Sequence, residues 1–143
     1  MSAWEEYPQD NISIRRDTKG RIPNLPFREV KNAILGKAYE LSLVFPDGKV
    51  SENLHVRWKK KEGPVNILSF PLDENTGEIF ITLSQARKEA KKFERTYFPH
   101  LLFLFIHGCL HLKGMKHGAK MEKEEKKFFR IFLEKYEQNM RRG

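Results

Sequence analysis

Three histidines fall within one short run of this chain, His107-Gly108-Cys109-Leu110-His111-Leu112-Lys113-Gly114-Met115-Lys116-His117. On a helix, residues four apart share a face with Cβ atoms about 5–6 Å from one another. The imidazoles of His107 and His111 can therefore reach one cation at about 2.0–2.1 Å. Gly114 lets the helix stop through a left-handed residue, and the returning chain brings His117 in as a third ligand. Imidazole-only ligation suits zinc. Three protein ligands leave a fourth tetrahedral position to water, the arrangement of catalytic zinc. A carboxylate or cysteine as fourth ligand would close the site, and Cys109 is a poor candidate, because two helical steps from His107 turn it about 200° away. It reads as a small buried hydrophobe.

The zinc metzincins space three histidines and a glycine in the same register, but they carry a catalytic Glu where this chain has Gly108. A general base of that kind contributes roughly 10²–10⁴-fold. Its absence weighs against peptide cleavage and favours hydrolysis of another substrate. His100 shares the face of His107, but seven residues is roughly 10 Å along a helix. It cannot share the ion and is expected to line a groove. His55 reads as a surface or helix-face residue.

These residues need elements to position them. Alternation over residues 11–16 and 39–45 predicts two strands, and residues 65–72 and 78–82 two more. Pro71 places the end of the third strand at a sheet edge or a bulge. Helical spacing predicts helices over 27–35 and 50–58. Thr82 with Gln85 forms a capping box that opens a charged helix to about Tyr97. Pro99 then begins a helix to Lys113 that is apolar nearly all round, hence buried. The last helix, over residues 120–140, puts Met121, Phe128, Phe132, Leu133 and Tyr136 on one stripe. This order predicts an α+β fold, a small mixed four-stranded sheet covered by about five helices. No linker divides residues 1–143, so one domain is expected.

Net charge is +8 over 143 residues. A basic domain suits a polyanion, because Lys and Arg contacts to phosphate release counterions. Arg57-Trp58-Lys59-Lys60-Lys61 is the concentrated run, and Arg87, Lys88, Lys91, Lys92 and Arg95 form a looser cluster. The single cysteine rules out an internal disulfide and fits a reducing compartment. The acidic start lacks signal-peptide character, and the most apolar stretch, residues 101–106, is too short to span a bilayer. A cytoplasmic location is expected.

The histidine motif, with Asn66-Ile67-Leu68-Ser69-Phe70-Pro71 before it and the Gly77-Glu78-Ile79 strand start, resembles the YbeY family of bacterial endoribonucleases. The resemblance runs over most of residues 11–140. It implies a zinc-dependent hydrolase of single-stranded RNA, acting on rRNA precursor in maturation and ribosome quality control, with the small ribosomal subunit as a partner. Neither DNA nor membrane is expected. His107, His111 and His117 match the family's zinc ligands, and His107, His111 and Lys59 are the expected catalytic residues. Lys59, Lys60, Lys61 and Ser69 are the expected substrate contacts. Lys59 stands where the family usually has Arg, and Lys loses the bidentate fork for phosphate. Lys116 replaces a usual Asp, His55 an Asn and Glu78 an Asp. Two other readings are a non-catalytic RNA-binding assembly factor with a structural zinc and, from the metzincin register, a metallopeptidase.

Overall fold

Period-two patterning resolves into one mixed sheet. A computed structural model, which describes residues 11–47 and 67–142, contains β1 (Ile12–Arg16), β2 (Glu40–Phe45), β3 (Ile67–Asp73) and β4 (Thr76–Ile81). Their order is β1-β2-β4-β3. β1, β2 and β4 run parallel, while β3 returns antiparallel on β4. The β3–β4 turn is closed by the Asn75 amide donating to the Asp73 carboxylate at 2.7 Å. β3 forms one edge of this sheet, and its register shifts between Pro71 and Asp73. Proline lacks the N–H that a ladder needs, so edge and bulge are where it can sit.

Four helices lie among the described residues: α1 (Phe27–Leu35), α2 (Leu83–Lys92), α3 (Tyr97–Leu112) and α4 (Ala119–Arg142). The helix expected over residues 50–58, with His55 and Lys59, Lys60 and Lys61, lies outside the described residues. α3 is the central element. It buries Leu101, Leu102, Leu104, Phe105, Ile106 and Leu110 almost completely, and packs on β3, β4 and the other three helices. Its half-buried residues Phe103, His107 and His111 recur every four positions, so one stripe of an otherwise buried helix reaches the surface. α4 lays Met121, Phe128, Phe132, Leu133 and Tyr136 against the same core.

Two expectations fail at α2. Thr82 is its N-cap residue, but the Thr82 side chain makes no capping hydrogen bond. The first turn closes through the backbone instead, Ala86 N–H to Thr82 carbonyl at 2.9 Å. The helix also stops at Lys92, short of Tyr97. Glu94 takes φ +54°, the Arg95 amide bonds to the Ala90 carbonyl and the Glu94 amide to that of Lys91. These two bonds define a Schellman turn, which usually places glycine at the left-handed position. Glutamate there hides the stop signal from a sequence reading.

Candidate metal centre

α3 carries His107 and His111 one turn apart, and its ending decides where the third histidine goes. The Met115 amide bonds to the Leu110 carbonyl and the Gly114 amide to that of His111, with Gly114 at φ +103°. This second Schellman turn reverses the chain as its sequence predicts. It also presents the Met115 carbonyl to His111 Nδ1 at 3.0 Å. His117 then folds back, its ring centroid 4.5 Å from that of His111 and 5.1 Å from that of His107. One nitrogen from each of the three rings lies within 4.8 Å of the other two.

The hydrogen bonds on the far sides of the rings fix their chemistry. A carbonyl only accepts, so His111 Nδ1 carries the proton. His107 Nδ1 lies 2.7 Å from the Glu125 carboxylate, which accepts in the same way. When both rings are neutral, both Nε2 atoms are lone-pair acceptors, and they stand 3.0 Å apart. Two acceptors at that distance repel unless a cation, a proton or a metal ion, lies between them. Ligands on one tetrahedral zinc keep a separation of about 3.3 Å, so the donor set fits a metal ion. Burial holds the His111 pKa below its ordinary value, and a proton on His107 or His117 pushes it the same way. His111 is thus kept neutral, the form that ligates.

Glu125 is the residue that sequence reasoning missed. It is buried, 6% exposed, on the inner stripe of α4 between Met121 and Phe128. A carboxylate on an apolar stripe is the signal that marks it, because buried charges are retained only with partners. It orients His107 as second-sphere carboxylates orient zinc-bound histidines.

Gly108 faces away from the cluster. A Cβ there would meet Ile67 Cδ1 at 3.0 Å, Ile79 Cδ1 at 3.1 Å and Ser69 Oγ at 3.1 Å. The position that holds the metzincin base is therefore pressed against the sheet. Ser69 directs its hydroxyl to the Gly108 carbonyl at 3.4 Å, which ties β3 to the helix beside His107. His100 is not in the groove. It is 2% exposed and its Nε2 meets the Glu89 carboxylate at 2.9 Å, joining α3 to α2. Lys116 is exposed beside His117, and Glu78 is half-buried on β4. Cys109 is fully buried, as its helical position requires.

Known proteins resemble this chain in sequence and in fold. A family model described as Endoribonuclease YbeY matches residues 8–137. An endoribonuclease YbeY from Carboxydothermus hydrogenoformans is 34% identical over 70% of this chain and 78% of its own length. One from Sinorhizobium medicae is 34% identical over 68% of this chain, and the match spans 63% of the longer relative. The solution structure of TM1509 from Thermotoga maritima superposes with a TM-score of 0.65 at 25% identity, over 90% of this chain and 93% of that one.

Proposed function

The chain belongs to the YbeY endoribonuclease family, and from that premise we propose that it is a zinc-dependent endoribonuclease specific for single-stranded RNA. Its substrate is rRNA precursor, cut during maturation and quality control of the small ribosomal subunit in the cytoplasm. The observation that carries this reading is the pair of Nε2 lone pairs at 3.0 Å with both Nδ1 protons committed elsewhere. His107, His111 and His117 hold the ion. When bound, zinc supplies Lewis acidity toward a phosphoryl oxygen and toward water.

The chain's own residues do the rest. Glu125 keeps the His107 ring in its ligating tautomer and adds negative charge behind it. Ser69, a proposed substrate contact, stands on β3 with its hydroxyl on the Gly108 carbonyl. Lys59, with Lys60 and Lys61, neutralises phosphate charge as the strand settles. Peptide hydrolysis is disfavoured, because residue 108 points into the sheet and supplies no base toward the ion.

Incubation of metal-loaded protein with single-stranded rRNA precursor, beside folded His107→Ala and His111→Ala variants, tests the reading. Cleavage by the parent alone is expected. Equal trace cleavage by all three proteins would sink it.

A further inference from the structure

The second basic cluster lies where α2 gives way to α3, and there it meets aromatic rings. Residues 83–96 hold Arg87, Lys88, Lys91, Lys92 and Arg95 against only Glu89 and Glu94, and Glu89 is already bonded to His100. The Schellman turn at Glu94 sets Phe93 and Arg95 on either side of a left-handed residue. Phe93 is 55% exposed. The Arg95 guanidinium lies 5.7 Å from its ring centroid and 5.6 Å from that of Phe103. The Lys92 ammonium approaches Phe93 at 5.7 Å. Phe103 in turn stacks on His107, with centroids 6.4 Å apart and planes 29° from parallel. Phe129 braces it edge-on from α4 at 5.9 Å. Among the described residues neither Arg95 nor Lys92 forms an ion pair.

A single exposed phenylalanine needs no explanation. Here the exposed ring ends a continuous line of rings and cations that leads to a metal ligand. Cations within about 6 Å of a ring are attracted to its face, which holds the Arg95 side chain between two rings with its charge uncompensated. Single-strand binders combine these two ingredients, positive charge for the backbone and aromatic faces for successive bases.

We propose that Phe93, Arg95 and Lys92, leading through Phe103 to His107, form a flanking track that binds an unpaired RNA strand beside the metal centre. The identity of the strand as RNA rests on the ribonuclease reading above. Phe93 offers its exposed ring to a base, and Arg95 contacts a phosphate. Lys92 supplies charge at the outer end. Duplex RNA cannot use the track, because paired bases do not present their faces. The track therefore supplies a preference for single strands that the three histidines alone do not.

Binding is read without turnover. Metal-loaded full-length protein is titrated into a labelled RNA of about twelve nucleotides, built with cleavage-resistant 2′-O-methyl phosphorothioate linkages and followed by fluorescence anisotropy. Phe93→Ala and Arg95→Ala are each expected to weaken binding about tenfold with unchanged melting temperatures. Arg95→Lys should keep the salt dependence of the parent but recover only part of the affinity. Lys135→Ala, an exposed charge on α4, should change affinity less than about twofold. The proposal is overturned if the Phe93 and Arg95 variants bind like the parent, or if Lys135→Ala loses as much as Arg95→Ala. It is also overturned if a glutamate-rich peptide displaces the RNA completely. Failure of the parent to cut natural RNA would count against the nuclease reading alone, since this assay involves no cutting.

Discussion

His107 on α3 and Glu125 on α4 are joined at 2.7 Å across 18 residues of sequence, so the orientation of a metal ligand depends on how two helices pack. Removing such a partner typically costs 10–100-fold in metal affinity. Glu125→Ala is therefore expected to weaken zinc binding by about that factor, measured against a competing chelator. An unchanged dissociation constant would show that the carboxylate does not act on His107. Because bound metal stabilises the fold by mass action, the melting temperature in zinc should fall in parallel.

Gly108 tests the peptidase register directly. Glu at this position would thrust a carboxylate against Ile67 and Ile79, whose Cδ1 atoms lie 3.0 and 3.1 Å from a Cβ there. Burying an unpaired charge costs roughly 3 kcal/mol or more. Gly108→Glu should unfold at much lower denaturant and cleave no casein. A variant as stable as the parent would mean that the helix can turn this position away from the sheet.

Lys116 places an ammonium next in sequence to His117, and both are exposed. A like charge beside a divalent cation opposes binding. Lys116→Asp is expected to tighten zinc by a few-fold to about tenfold. Zinc affinity equal to that of the parent would remove Lys116 from the centre.

His100 should give the apoprotein a pH-dependent stability. Burial lowers its pKa, and the opposing effect of Glu89 is smaller. The unfolded chain therefore takes up this proton first as pH falls. The contribution is fully present above about pH 6.5, the unfolded value, and is lost progressively below it. Denaturant unfolding from about pH 7.5 down to about pH 5 should show a steeper loss in the parent than in His100→Gln. Parallel curves would contradict the assignment.

Cys109 should be inert in the native state. It is fully buried, and desolvation pushes its thiol well above the ordinary range, with Lys31 offsetting only part of this. Since the thiolate is the reactive form, a disulfide reagent should label it only at the rate at which the chain opens. Rapid labelling of folded protein would refute this.

The three-histidine set was legible because everything that builds it is local. One helical turn, one left-handed glycine and the returning chain all lie within residues 107–117, and backbone hydrogen bonding over such spans follows residue type. Strand alternation, the buried character of α3 and the edge placement of Pro71 were readable for the same reason. Glu94 shows the limit, since a Schellman turn without glycine leaves no local mark. Thr82 has the residue type of a capping box yet makes no side-chain cap. The strand order β1-β2-β4-β3, the burial of His100 against Glu89 and the reach of Glu125 to His107 were decided by tertiary structure. Each joins residues far apart in sequence, and such partners are chosen by how the largely apolar α3 buries itself among the sheet and three helices. The sequence by itself determined that a metal could be held. The packing around α3 decided which carboxylate meets His107.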